Sequence, residues 1–153
     1  MTILEKAQQW LSSTFDKETQ QEIKHLINTD QEQLTDRFYQ DLEFGTGGMR
    51  GVMGAGTNRI NKYTLGRATQ GLANYLIQSF PNKKLKVAIA FDCRHNSKSF
   101  AKIVADVLSA NGIKVFLFED LRATPELSFS VKHLECDAGI VLTASHNPPE
   151  YNG

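Results

Sequence analysis

At 153 residues the chain can bury a real core in a single domain, and its ordinary composition, 41% hydrophobic and 22% charged, excludes low-complexity and disulfide-scaffold classes. No apolar run reaches the roughly 18 residues of a membrane-spanning helix. MTILEKAQQW lacks a signal-peptide pattern, and Cys93 and Cys136, without metal-ligand spacing, read as free thiols of a cytoplasmic protein. Net charge is zero but uneven, −5 over residues 1–43, +8 over 44–100 and −3 over 101–153. Two readings stay open: a basic face for an anionic ligand, or a solvated face balanced in three dimensions.

Residues 3–38 read as amphipathic helices. Leu4, Ala7, Trp10 and Leu11 share one face, Ile23, Leu26 and Ile27 repeat the spacing, and Asp30 opens a third helix carrying Phe38 and Tyr39. FGTGGMRGVMGAGTNR, residues 44–59, holds six glycines and reads as loop and hairpin. Thr64 is the expected cap of a helix whose inner face is Leu65, Ala68, Leu72, Leu76 and Phe80.

LKVAIAF (85–91) is the apolar run of a strand buried on both faces. Asn96 or Ser97 then caps a helix with Phe100, Ile103, Val104, Val107 and Leu108 inside. IKVFLF (113–118) reads as a second buried strand, 125–133 as a short helix and GIVLT (139–143) as a third strand. The alternation predicts an α/β fold, a three-layer α/β/α domain with a mainly parallel, mixed sheet over residues 41–153, preceded by an N-terminal helical extension over 1–40.

Asp92-Cys93-Arg94, Glu119 to Thr124 and Ser145-His146 each follow the carboxyl end of a predicted strand, the edge where open α/β sheets bind ligands. The glycines of FGTGGMRG let backbone N–H groups approach a phosphate, with Arg50 offering a planar fork, although on the residues alone a tight hairpin is the plainer explanation of the glycines. Ser145 beside His146 raises a hydrolase, but the G-x-S-x-G elbow is absent. Neighbouring side chains on an extended loop also point apart, which places His146 badly as a base. A hydroxyl stiffened by Pro148 and Pro149 suits acceptance of a phosphoryl group; a helix cap or a turn is the plain alternative. Asp92 and Arg94 can pair as a clip at the strand end. No H-E-x-x-H and no carboxylate cluster able to hold a metal unaided is present in the sequence.

TASHNPPEYNG resembles the phosphoserine loop of the α-D-phosphohexomutases, the family of phosphoglucomutase and phosphomannomutase. FGTGGMRG resembles that family's N-terminal glycine/arginine motif, and FDCRHNS its strand-end Asp-x-Arg-x-x-Ser element. The resemblance covers residues 40–153, and the helical extension is most similar to the phosphoglucomutase/phosphopentomutase branch.

The resemblance implies an isomerase that interconverts sugar 1-phosphates and 6-phosphates of glucose or mannose through a phosphoserine and a bisphosphate intermediate. Ser145 would carry the phosphate, whose oxygen ligates Mg²⁺, and Arg50 would stabilise the phosphoryl group. Thr46, Gly47, Arg94 and Asn147 would bind phosphate or substrate, and His146 would join Ser145 and Arg50 in the catalytic set. Glucose 1,6-bisphosphate would be intermediate and activator. Partners would be sugar phosphates, with no nucleic acid and no membrane. A phosphopentomutase and a non-catalytic phosphosugar-binding module are the alternatives. The family's remaining metal ligands and sugar-selecting loop are expected beyond Gly153, as is its final antiparallel edge strand. The 153 residues alone are therefore expected to be inactive and to self-associate through an unpaired sheet edge.

Overall fold

A computed structural model describes residues 1–45 and 47–153, which form two compact units, Met1–Asn61 and Lys62–Gly153.

The first unit begins with α1 (Ile3–Gln9), α2 (Lys17–Thr29) and α3 (Gln31–Phe38). Each start is set by a side chain that takes an orphan backbone N–H. Thr2 and Glu5 form a reciprocal capping box, Asp16 accepts from the Thr19 N–H, and Asp30 from the Gln33 N–H. Ala7, Trp10, Ile23, Leu26, Leu34 and Phe38 make the core, where the Trp10 ring stacks on Phe15 at 4.5 Å and meets Phe38 edge-on at 5.6 Å.

The unit continues past the helices because the glycine-rich segment is fastened to α3. The Asn58 N–H donates to the Arg37 carbonyl at 3.0 Å, and the Asn58 amide to the Asp36 carbonyl at 2.9 Å. Arg37 pairs with Glu22 and Arg59 with Asp36. Gly56 permits this approach: its φ is +129°, and a Cβ there would lie 2.6 Å from the Arg37 carbonyl oxygen. Among the described residues, the segment holds a two-residue strand, β1 (Gly51–Val52), and isolated bridges between Gly45 and Gly48 and between Met53 and Ile60, which matches the loop and hairpin expected from its glycines.

The second unit runs α4 (Lys62–Ser79), β2 (Lys86–Phe91), α5 (Ser97–Ala110), β3 (Lys114–Leu117), α6 (Thr124–His133), β4 (Ala138–Leu142) and β5 (Tyr151–Asn152). The sheet order is β3-β2-β4 and both pairings are parallel, with Ile89 opposite Leu117 on one side and Ile140 on the other. The chain thus forms the α/β sheet expected, with β2 in the middle, buried from Val87 to Phe91. Successive residues of β2 face opposite sides. Ala88 and Ala90 pack against Leu127 and Val131 of α6, while α5 lies against the sheet with α4 alongside it.

Several local expectations need correction. β3 is not buried on both faces: Val115 and Phe116 are half-buried and Leu117 is exposed, because β3 has β2 on one side only. Thr64 is no cap, since α4 begins at Lys62 and Thr64 is buried in its first turn. The inner face of α4 is Thr64, Leu65, Thr69, Ala73 and Leu76, rotated from the expected one, and Phe80 is exposed. Burying Thr69 is tolerable because its hydroxyl donates to the Leu65 carbonyl at 2.7 Å. Asn96 occupies the cap position of α5 in a left-handed conformation, but its side chain makes no capping hydrogen bond, and the Ser97 hydroxyl donates to Asp92.

Candidate functional site

The carboxyl ends of β2 and β4 share a rim, joined where the Asp92 N–H donates to the Leu142 carbonyl at 3.1 Å. From this rim rises the segment 143–153, folded back by two tight turns in which the Asn147 N–H bonds the Ala144 carbonyl at 2.9 Å and the Tyr151 N–H bonds the Pro148 carbonyl at 3.0 Å. Ala144 is fully buried and anchors the loop; Ser145, the next residue, is exposed.

Ser145 has a φ of +53°, in the left-handed region that a non-glycine residue rarely enters. Its peptide groups are held on both sides. Its N–H donates to the Thr143 hydroxyl at 3.0 Å, and its carbonyl accepts from the Arg94 guanidinium at 2.9 Å. The loop is therefore not extended, and the two neighbouring side chains do not point apart as expected: Ser145 Oγ lies 3.3 Å from His146 Nδ1. With Nδ1 unprotonated, the hydroxyl donates to it, so the pair can pass a proton as well as present an oxygen.

Arg94 is the organiser of this loop. Its two terminal nitrogens donate to four carbonyls, those of Pro148 (2.8 Å), Tyr151 (3.1 Å), Ser145 (2.9 Å) and Asn147 (2.5 Å). Its Nε lies 3.6 Å from Asp92 Oδ2, so the Asp92–Arg94 clip exists and also reaches far beyond the strand end. Arg94 is thus placed to shape the serine loop with the same atoms that were expected to meet a phosphate.

Asp92, Ser97, Thr143 and Asn152 complete the support. The Asp92 carboxylate accepts from the Ser97 hydroxyl at 2.8 Å, the Thr143 hydroxyl at 2.6 Å and the Arg94 N–H at 3.0 Å. Asn152, wholly buried, donates to the His95 carbonyl at 2.8 Å and to the Ser97 hydroxyl at 2.9 Å, while accepting from the Gly153 N–H at 2.8 Å. Sequence reasoning missed Thr143 and Asn152, and both sit inside a motif it had quoted. The third rim cluster contributes differently from expectation: the Arg122 side chain pairs with Glu126 at 3.7 Å and bonds the Leu121 carbonyl.

Of the other expected site residues, Gly47 and Arg50 belong to the first unit, and Thr46 lies outside the described residues. Glu43, Gly45, Gly47, Gly48 and Arg50 line an open depression of about 390 Å³. It is closed at one point by the Gly45 N–H on the Gly48 carbonyl at 2.8 Å, and Arg50 is exposed. Backbone amides of glycine and an exposed guanidinium suit an anion of phosphate size.

A divalent cation does not fit this donor set alone. Among the described residues no three His, Cys, Asp or Glu side chains gather, and the Asp92 oxygens are already engaged. A hard cation needs about six oxygens, and Ser145 offers one.

The sequence pattern of the family described as phosphoglucomutase/phosphomannomutase, alpha/beta/alpha domain I, matches residues 41–153. A phosphoglucomutase of Staphylococcus epidermidis is 47% identical over 112 residues, covering 73% of this chain and 20% of the relative. A protein named "Probable phosphoribomutase" from Schizosaccharomyces pombe is 40% identical over 151 residues, 97% of this chain and 26% of the relative. The crystal structure of a phosphomannomutase homologue from Thermus thermophilus superimposes with a TM-score of 0.67 at 35% identity, over 74% of this chain and 25% of that one. The chain therefore spans about a quarter or less of the length of these relatives. With its parallel sheet, flanking helices and a serine loop on the carboxyl rim, the chain belongs to the phosphoglucomutase/phosphomannomutase family, of which it carries the α/β/α domain I.

Proposed function

We propose that Ser145 carries a phosphate and that the chain is the nucleophile-bearing domain of a sugar-phosphate mutase. The observation that carries the reading is the presentation of Ser145: an exposed hydroxyl on a left-handed residue whose N–H and C=O are both fixed by side chains. Phosphoryl transfer asks for positioning and charge neutralisation more than for a strong base, and a rigidly held oxygen supplies the first. The phosphoserine gives its phosphoryl group to the free hydroxyl of a sugar monophosphate, breaking the Ser145 Oγ–P bond and forming the sugar O–P bond as that hydroxyl loses its proton and the freed Ser145 Oγ takes one up. The bisphosphate reorients, its other phosphate returns to Ser145, and the released sugar oxygen regains a proton. His146 Nδ1, at 3.3 Å from Ser145 Oγ, can receive the serine proton in the return step.

In this proposal Arg50 and the glycines around Gly47 give the first unit a site for phosphate oxygens. The Ser145 phosphate would offer one oxygen to a Mg²⁺ ion, which would neutralise charge on the phosphoryl group, and its other ligands would lie outside these 153 residues. That division is supported by the greater length of the relatives, and it predicts no turnover by the 153-residue chain alone. Conversion of glucose 1-phosphate by that chain would refute the division. Glucose and mannose phosphates are the first substrates to try. A pentose phosphate is the second reading, favoured by the similarity to the S. pombe protein, which runs over 97% of the chain. Comparing kcat/KM on glucose, mannose and ribose 1-phosphates with the full-length protein separates them.

The test of the serine itself is intact-mass analysis of the full-length protein after incubation with glucose 1,6-bisphosphate. A mass gain of one phosphate that disappears in Ser145→Ala is the expected result. Wild-type protein that takes up no phosphate overturns the proposal and leaves a phosphosugar-binding module as the reading.

A further inference from the structure

The hydroxyl of Thr143 has a single proton, and the structure shows where it goes. Asp92 Oδ2, 2.6 Å away, can only accept, so Thr143 donates to it. Its lone pair is then turned toward the Ser145 N–H at 3.0 Å. Asp92 is itself fixed by Ser97 and by the backbone N–H of Arg94, and Ser97 is held by buried Asn152. A chain of oriented hydrogen bonds thus runs from the start of α5, through the end of β2, to the backbone donor on which the φ of Ser145 turns.

We infer that Thr143, oriented by Asp92, is a positioning residue for Ser145: it holds the serine in its left-handed conformation and so aims Oγ for transfer. The inference rests on the proposed use of Ser145 but concerns a different residue and a different observable. A left-handed serine is a conformation the chain abandons when nothing over-determines it. Valine at position 143 keeps the shape of threonine and removes the acceptor; serine keeps the acceptor and removes a methyl group. A small displacement of the attacking oxygen is costly for transfer even when folding survives.

The experiment compares Thr143→Val and Thr143→Ser in the full-length protein with two readouts. Amide hydrogen exchange at Ser145 should quicken roughly fivefold to tenfold in Thr143→Val and stay close to wild type in Thr143→Ser. The single-turnover rate constant for phosphate uptake from glucose 1,6-bisphosphate should fall roughly 10- to 100-fold in Thr143→Val, with KM for the sugar phosphate unchanged and with recovery in Thr143→Ser. A rate constant, unlike an amplitude, is unaffected by loss of folded protein, so simple destabilisation does not reproduce this pattern. Equal Ser145 exchange in all three proteins overturns the inference, as does undiminished transfer by Thr143→Val. If wild-type protein takes up no phosphate, the phosphoserine reading fails, while the exchange comparison still decides whether Thr143 positions Ser145.

Discussion

Replacing Arg94 with alanine removes donors from four carbonyls of one loop at a stroke. The bonds to Pro148 and Ser145 are exposed, and water can take the place of the guanidinium there. Those to Tyr151 and Asn147 are partly buried, and the side chain as a whole is only 14% exposed. A charge-assisted hydrogen bond contributes about 1.5 kcal/mol net at the lower end, so the two covered bonds give a loss of about 3 kcal/mol. For a protein of this size that lowers Tm by about 6–12 °C. Arg94→Lys should fall between, since an ammonium offers no planar fork and cannot span four acceptors. Calorimetry gives the Tm, and hydrogen exchange at Asn147 and Tyr151, whose N–H groups close the two turns, gives the local effect. A shift below about 2 °C in Arg94→Ala, with both amides still protected, would refute the view that Arg94 organises the loop.

Other substitutions test other parts of the fold. Gly56→Ala forces a Cβ to within 2.6 Å of the Arg37 carbonyl at a φ of +129°, and should cost about 2–4 kcal/mol of stability, read from the urea unfolding midpoint. The Asp137 carboxyl is held below the usual aspartate range, chiefly by its hydrogen bond from Lys83 and also by the Lys86 N–H at 2.9 Å. A depressed carboxylate stabilises the fold above its unfolded pKa of about 3.9 and loses that contribution as pH falls through the lower folded value. Wild type should therefore exceed Asp137→Asn in stability at pH 7, with the gap closing in acid; a gap independent of pH contradicts the assignment. Burial pushes the Cys136 thiol up, whereas Cys93 is exposed. Brief alkylation of native protein should add one adduct, at Cys93, by peptide mapping.

How far the sequence could be read depended on whether the deciding partner was near or far along the chain. The run from Leu85 to Phe91 announces a strand buried on both faces, because such a strand has no polar side to show. Ile113 to Phe118 carries the same apolar signature, yet β3 is half exposed, since nothing in a short run tells whether it has one neighbour or two. The helix caps at Thr2, Asp16 and Asp30 are contacts three residues long, and of these Asp30 is named from the sequence as a helix start. In the site, the glycines and the serine loop were recognisable as motifs. The partners of Arg94 lie 51 to 57 residues away, and Thr143 meets Asp92 across 51, so their pairing came only from the sheet register. The approach of Ser145 to His146 is not legible locally, because distant side chains impose a left-handed turn where an extended loop would hold the two side chains apart.

Those separations bear on the order of events during folding. Ser145 acquires its geometry from groups that meet only after β2 and β4 have aligned, so its conformation has high contact order although the motif is compact in sequence. A chain with β4 undocked retains the serine but none of the long-range hydrogen bonds that aim it. On the proposed use of Ser145, phosphate uptake at this hydroxyl would be withheld from partly folded chains, and its appearance during refolding should report completion of the sheet rather than formation of any helix.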